Sequence, residues 1–410
     1  MKLKKQEDKL VKRINVWDKT IEVESNNYNW NNEPIVKAPQ KKAKKAKFIH
    51  IDLFSGCGGF STGFEQAGFI TKLAVDIHPP SLETLYANHK YTTTILGDIR
   101  KVSSKLIEQS LSSMDAISVI TAGVPCQGFS LANRKRHDED KRNFLFKEFI
   151  RISRELKPTA VVLENVSGLI STKEGQFKVA IAEAISELGY EVHFAMLNAA
   201  DYGVPQKRRR VFFIGVPVGT KWLFPEKTHG VGTDKSYISV GDAILGDLPE
   251  LEANECSNEY KRKPQNEFER YIRGNVTELL NHQAPNHPFE TIKRIKETMP
   301  GEPMYTEFKQ RIRLHPKNPS PTQICGGIRP QFQFGHPSQP RGLTIRERAR
   351  LQSFPDSYFF TGGVVQGRVQ TGNAVPPLLS KVIADQLAKA LTGKEISGER
   401  GEGLQRDLFF

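Results

Sequence analysis

Cysteine is scarce in this chain of 410 residues, limited to Cys57, Cys126, Cys256 and Cys325, far apart and without a CxxC pair. That spacing suggests neither a disulfide framework nor a zinc knuckle, and it fits a reducing compartment. Long apolar runs are missing too: none reaches the roughly 18 residues that read as a membrane-spanning helix. The N-terminal stretch is lysine-rich and then polar, where a secretory signal would carry an apolar core. Neither a membrane span nor a secretory signal is therefore expected. Acidic residues are outnumbered, 46 Asp and Glu against 59 Lys and Arg, for a formal charge of +13. Such a balance is unusual for an enzyme of small neutral metabolites and suits a polyanionic partner, which gains from steering and counterion release. His282 and His287 have no cysteine or acidic partners at ligand spacing, so no metal is expected.

Residues 1–47 are rich in lysine and asparagine, end in Lys41, Lys42, Lys44, Lys45 and Lys47, and show little periodic apolar patterning. They are expected to form a basic flexible arm. From Phe48 onward, short β-branched apolar runs at 48–54, 70–77, 93–99, 116–122 and 159–166 alternate with amphipathic stretches such as 145–156 and 177–188, the latter closed by Gly189. This alternation predicts the α/β class, a Rossmann-like doubly wound and mostly parallel sheet. Runs at 191–197 and 211–216 extend it, so that 48–216 forms most of one domain. After Pro217 the alternation stops, and the turn-rich polar stretch 217–341 predicts a smaller, irregular domain that presents side chains to a partner. The pattern recovers at 342–395, which rejoins the first domain with helices expected over 343–352 and 376–391; residues 396–410 are polar and expected to fray.

The segment Asp52-Leu-Phe-Ser-Gly-Cys-Gly-Gly-Phe60 follows the first strand and opens a helix. Glycines there let a ligand approach the backbone, and the helix start supplies unpaired N–H groups. The loop holds no Gly-x-Gly-x-x-Gly and is not followed by Gly-Lys-Ser/Thr, so neither a dinucleotide fingerprint nor a phosphate loop fits. Asp76, at the end of the second strand, is placed to accept from ribose hydroxyls, Asp98, at the end of the third, from an adenine amine, and Phe54 to stack on that adenine. Three successive strand ends with such groups point to a nucleoside without a pyrophosphate, of which S-adenosylmethionine is the common case. The next strand closes on Gly123-Val-Pro-Cys126-Gln-Gly-Phe-Ser130, at the sheet edge where doubly wound folds place ligands. A lone cysteine is more often a small buried hydrophobe, so the residues alone leave that reading beside a catalytic one. Glu164-Asn-Val166 closes the following strand; a carboxylate there needs a partner if buried, which leaves a structural ion pair or a role facing the thiol.

Five blocks in fixed order carry a resemblance: Asp52-Leu-Phe-Ser-Gly-Cys-Gly-Gly, Pro125-Cys-Gln-Gly-Phe-Ser, Glu164-Asn-Val, Gln206-Lys-Arg-Arg-Arg210 and Gly372-Asn-Ala-Val-Pro-Pro377. With Arg346-Glu-Arg-Ala-Arg-Leu-Gln-Ser-Phe-Pro-Asp356, they resemble the DNA (cytosine-5)-methyltransferases of prokaryotic restriction–modification type over residues 48–395. The resemblance implies the S-adenosylmethionine-dependent methyltransferase fold, with 217–341 as target-recognition domain. It implies Cys126 as covalent nucleophile, Glu164 gripping a flipped-out cytosine, and Arg208 and Arg210 flanking the base pocket. By the same resemblance Phe54, Ser55, Gly56, Gly58, Gly59, Asp76, Ile77, Asp98, Ile99, Leu145, Asn373 and Ala374 belong to the cofactor side, and Pro125, Gln127, Ser130 and Val166 to the substrate side. The family usually carries glutamate where this chain has Asp76, so that ribose contact is reached by a shorter carboxylate.

These residue types suit the chemistry. Cytosine carbon 5 is a poor nucleophile until a thiolate adds to carbon 6, and cysteine is the side chain best able to do so near neutral pH. Glu164 at ring nitrogen 3 needs a raised pKa to share a proton there. The base must leave the duplex to be reached, and the basic segment 127–143, with Arg134, Lys135, Arg136, His137, Lys141 and Arg142, is expected to be a mobile loop that closes over DNA. Arg311, Arg313, Gln331 and Gln333 have side chains suited to base edges. Expected partners are double-stranded DNA and, functionally, a restriction endonuclease of the same specificity; a monomer in the bacterial cytoplasm, nucleoid-associated when acting on DNA, is expected. Two alternatives remain at this level: the same chemistry on transfer RNA, and a DNA-binding regulator that keeps the fold without turnover.

Overall fold

The computed structural model describes residues 11–16, 19–24, 33–42, 46–111, 116–125, 145–171, 176–325 and 333–393. In chain order the first strands are β1 (Val11–Val16), β2 (Lys19–Glu24), β3 (Ile35–Lys37), β4 (Ile49–Leu53), β5 (Ile70–Asp76), β6 (Thr93–Leu96), β7 (Val119–Gly123), β8 (Ala160–Val166), β9 (Tyr190–Asn198), β10 (Gln206–Lys207) and β11 (Arg209–Pro217). Between them run α1 (Gly59–Gln66), α2 (Pro79–Asn88), α3 (Ser104–Ser110), α4 (Phe146–Leu156), α5 (Gly168–Ser171) and α6 (Gln176–Ser186). The eight-stranded central sheet has the order β3-β6-β5-β4-β7-β8-β11-β9. Its middle, β6 through β8, is parallel, while β11 runs antiparallel to both of its neighbours. The expected doubly wound, mostly parallel sheet is thus what forms.

Helices cover both faces because the strands are apolar on both. Val161 and Leu163 of β8, with Val211 and Phe213 of β11, pack beneath Phe149 and Ile152 of α4 and Ile181 and Ile185 of α6. The alternate residues Ala160, Val162, Phe212 and Ile214 pack on the other face with Phe60 and Phe64 of α1. A period of two on each strand sorts one run of apolar residues into two cores.

The basic arm does not stay apart from this sheet. β1 and β2 form an antiparallel hairpin, and Ile35–Lys37 joins the edge of the sheet antiparallel to β6. The boundary expected at residue 48 therefore lies too late. A three-residue strand offers too little periodicity to be read locally, and its pairing depends on an edge built by residues 93–96.

Beyond Pro217 come α7 (Val240–Ile244), α8 (Glu267–Arg273), α9 (Phe289–Glu297), β12 (Ile312–Arg313), β13 (Ser320–Pro321) and β14 (Phe334–Gly335), then α10 (Ile345–Leu351), α11 (Gly363–Asn373) and α12 (Pro377–Thr392). A separate core of Val240, Ile244, Leu248, Phe268, Ile272, Leu314 and Phe334 holds the irregular region and also takes in Leu343 and Leu351. Ile345 and Ala349 of α10 face a further cluster with Cys57, Phe354, Tyr358 and Phe360. One short helix therefore ties the irregular region to the glycine loop. The last helix returns to the sheet: a Cβ on Gly59 would lie 2.2 Å from the Val375 carbonyl oxygen, and one on Gly63 would lie 2.4 Å from that of Pro377. Only glycine lets α1 and the start of α12 approach so closely. Among the described residues no helix is long and apolar enough to cross a membrane.

Candidate active site

The parallel strands β4 to β8 all end at one edge, and polar groups stand at or just beyond the ends of β4, β5, β6 and β8. At β4, Asp52 is fully buried and accepts from Ser61 Oγ at 2.6 Å and Thr121 Oγ1 at 2.9 Å. Burial pushes its carboxyl up to about 6 against those hydrogen bonds. The chain then turns through positive φ at Phe54 (56°), Gly56 (54°) and Gly58 (89°) before α1 begins at Gly59. Phe54 is not a glycine, so its left-handed backbone is a local cost held by the surrounding loop. Ser55 donates its N–H to the Val75 carbonyl at 3.0 Å.

Asp76 ends β5 with both oxygens engaged: Gly56 N–H donates to Oδ2 and His78 N–H to Oδ1, each at 2.7 Å. Burial raises this carboxyl above its ordinary range. The carboxylate thus shapes the glycine loop from the neighbouring strand, a duty that its place in the sequence did not reveal. Ile77, half-buried, follows it. Asp98 lies beyond the end of β6, not within it, and caps the short 3₁₀ turn Ile99–Lys101. Burial opposes its ionisation, but Arg100, whose Nε donates at 2.9 Å, holds the carboxyl below the usual range. Ile99 is buried against the core, and Leu145 caps α4 beside the same cluster.

On the other side of β4, β7 ends at Gly123, followed by Val124 and Pro125. Cys126, Gln127, Ser130 and the whole loop 127–143 lie outside the described residues. Their neighbours do not. Gly123 stands in register with Glu164 on β8, and Val166, in the same strand, faces Arg210 on β11. Glu164 is 7% exposed, and Arg210 Nε lies 2.8 Å from its Oε1. Burial raises the Glu164 carboxyl above its ordinary range, against the pull of Arg210 and Arg208. Asn165 Nδ2 donates to the Val124 carbonyl at 3.5 Å, holding the backbone that leads into Pro125 and Cys126.

The two arginines of the Gln206–Arg210 block part company. Arg210 meets Glu164. Arg208, 2% exposed, donates from Nη1 to the carbonyls of Gln323 at 3.0 Å and Gly372 at 3.1 Å. It joins the irregular region to the end of α11 instead of pairing with Glu164. Asn373, the last residue of α11, is exposed, and Ala374 is buried where its carbonyl accepts from Gln352 Nε2.

Two of the base-edge candidates have internal duties. Arg313 donates to the carbonyls of His336 at 3.2 Å and Thr298 at 3.0 Å, while Gln333 is buried between the backbone of Thr322 and Ile324. The Arg311 guanidinium lies 4.3 Å from the Phe308 ring centre, and Gln331 is outside the described residues. His282 bridges Thr344 and the Pro249 carbonyl, and His287 Nε2 accepts from Gly342 N–H at 2.9 Å. No signal in the sequence separates such structural arginines and glutamines from DNA-facing ones, because both are polar residues in a turn-rich stretch.

A family model described as C-5 cytosine-specific DNA methylase matches residues 48–389. Type II methyltransferase M1.HphI of Haemophilus parahaemolyticus is 37% identical over 357 residues, covering 84% of this chain and 88% of that protein. Type II methyltransferase M.DdeI of Desulfomicrobium norvegicum is 36% identical over 372 residues, covering 82% and 88%. Among solved structures, a putative DNA modification methyltransferase encoded within an E. coli prophage superimposes with a TM-score of 0.71 at 28% identity, over 84% of this chain and 100% of that one. S. pombe Dnmt2 methyltransferase, at 15% identity and a TM-score of 0.56 over 84% of this chain and 99% of its own, shares the fold.

Proposed function

Because this chain belongs to the C-5 cytosine-specific DNA methylase family, and so is a DNA cytosine-5-methyltransferase, we propose that it takes the methyl group from S-adenosylmethionine and acts through Cys126 on a cytosine swung out of a specific duplex site. The observation that carries this assignment of residues is Glu164: a buried carboxyl at the carboxyl edge of the sheet, paired with Arg210 and in register with Gly123, which precedes Cys126 by three residues in the sequence.

The glycine loop fits the nucleoside part of the donor. A Cβ on Gly56 would meet nothing within 4 Å, so the loop borders open space there. Asp76 and Asp98 bring carboxylate acceptors to adjacent strand ends, suited to ribose hydroxyls and an adenine amine. Ser55, Gly58, Gly59, Ile77, Ile99, Leu145, Asn373 and Ala374 complete that side of the proposal. The donor supplies an electrophilic methyl group already activated by its sulfonium.

The chain's own residues do the rest. The Cys126 thiolate adds to carbon 6 of the ring, which makes carbon 5 nucleophilic; after methylation, loss of the carbon 5 proton expels the thiolate and restores the ring. Glu164, kept protonated more readily than an exposed carboxyl, holds ring nitrogen 3 and accepts from the exocyclic amine. Arg210 orients Glu164 and stands at the base carbonyl, with Pro125, Gln127, Ser130 and Val166 around it. The region 217–341 reads the DNA sequence. The Type II names of the relatives support pairing with a restriction endonuclease, and we infer that the protein works in the cytoplasm, at the nucleoid.

Tritium transfer from labelled donor to duplex DNA and to transfer RNA tests the substrate, and bisulfite sequencing of DNA from cells expressing the chain reads the site. Labelled RNA with unlabelled DNA would overturn the reading.

A further inference from the structure

The glycine loop is gripped from behind by a residue that arrives from the far end of the chain. The Tyr358 hydroxyl donates to the Cys57 carbonyl, 301 residues away in sequence, inside the loop itself. His89, at the end of α2, puts Nε2 3.0 Å from the same hydroxyl and Nδ1 2.9 Å from Glu65 Oε2 on α1. Both rings are buried, at 2% and 3% exposure. The fit leaves no slack: a Cβ on Gly58 would lie 2.7 Å from the Tyr358 oxygen and 2.8 Å from His89 Nε2. Thr62 Oγ1 donates to the Gly58 carbonyl at 2.7 Å, so two consecutive loop carbonyls are held by side chains behind the loop.

Tyr358 is itself held in place. Asn88, the neighbour of His89, donates from Nδ2 to the Phe359 carbonyl at 2.8 Å and accepts from Phe359 N–H at 2.9 Å. The Tyr358 carbonyl accepts from Arg346 Nη2 at 2.6 Å. A phenol buried with its hydroxyl against both a loop carbonyl and a histidine ring nitrogen is a directional element, because breaking either contact strands a buried polar group.

We propose that Tyr358 and His89 are positioning residues that hold the glycine loop in its donor-binding shape, an inference that rests on reading this loop as the S-adenosylmethionine site. They touch neither donor nor cytosine; Tyr358, backed by His89, fixes the carbonyl of Cys57 next to the Gly58 carbonyl that Thr62 holds, and with it the direction of the loop's N–H groups and the start of α1. Their loss therefore weakens donor binding while the transfer step, once the donor is bound, keeps its rate.

The variant Y358F removes the hydroxyl and keeps the ring. Calorimetry with S-adenosylmethionine and steady-state methylation of duplex DNA are expected to show Kd and KM for the donor raised about five- to tenfold, with kcat at saturating donor within about twofold of the parent, as the loss of one buried hydrogen bond implies. H89Q, which keeps a hydrogen-bonding group near the phenol, is expected to weaken binding less, and it carries the measurement if Y358F does not fold. Y260F is the structural control: Tyr260 donates to Asp356 Oδ2 at 2.8 Å on the other side of the same segment, so its loss lowers Tm and leaves donor Kd unchanged. Unchanged Kd and KM in Y358F, or an equal loss of donor affinity in Y260F, would overturn the proposal. A parent protein that methylates DNA with another donor, or does not bind S-adenosylmethionine, would instead remove the loop's assignment and the inference with it.

Discussion

Replacing Glu164 with glutamine separates catalysis from stability more cleanly than any other single change in this protein. The side chain is buried, paired to Arg210 Nε at 2.8 Å, and its carboxyl is raised by burial. A carboxyl raised in the folded state favours folding most when protonated: the contribution is complete below the ordinary carboxylate range and is lost as pH rises through the raised value. Glutamine cannot ionise, keeps an oxygen for Arg210 and removes that pH dependence. At neutral pH the E164Q protein is therefore expected to melt within about 2 °C of the parent. Its kcat is expected to fall about 10²- to 10³-fold, roughly 2.7–4 kcal/mol on the barrier, because an amide can offer ring nitrogen 3 a hydrogen bond but is too weak an acid to pass it a proton. The assays are a thermal melt and tritium transfer to duplex DNA across a pH series, in which the parent loses kcat as pH rises through the raised value. An E164Q protein that melts many degrees lower yet methylates at the parent rate would refute both halves of the reasoning.

Three further outcomes follow from the same geometry. C126S is expected to form no denaturation-resistant complex with duplex DNA carrying 5-fluorocytosine, on which the parent stalls because fluorine cannot leave as a proton; a trapped C126S complex on a denaturing gel would place the covalent bond elsewhere. G59A drives a Cβ to within 2.2 Å of the Val375 carbonyl oxygen, where backbone must move, and is expected to cost about 1–3 kcal/mol by chemical denaturation and to raise KM for the donor. D356N breaks a wholly buried ion pair in which Arg350 reaches Asp356 at 2.6 Å and Asp247 is its other partner, at a cost of about 3–5 kcal/mol; a melt unchanged from the parent would show that this network is not what holds the irregular region to α10.

Arg346 and Arg350 show how far reading along the chain reaches. Arg346-Glu-Arg-Ala-Arg350 carries four charged side chains in five residues, yet every residue of α10 is buried. Thr344 and Glu347 form a capping box legible from their spacing, but the carboxylates that accept Arg350 come from residues 247 and 356. Arg313 and Gln333 have side chains suited to base edges, yet they bond backbone groups within the fold. In both cases residue type and local pattern agree with either outcome, and burial decides between them.

The sequence by itself determined the alternation of strands and helices, the glycine loop, and the order of strand ends that carry Asp52, Asp76, Gly123 and Glu164. These depend on periodicity and on turn chemistry, which act over a few residues. Tertiary structure alone decided that Ile35–Lys37 completes an edge, that Arg210 and not Arg208 meets Glu164, and that Tyr358 reaches Cys57. Each of those contacts joins segments whose approach is set by packing of the whole sheet and its helices, and no local pattern encodes a meeting of residues 301 positions apart.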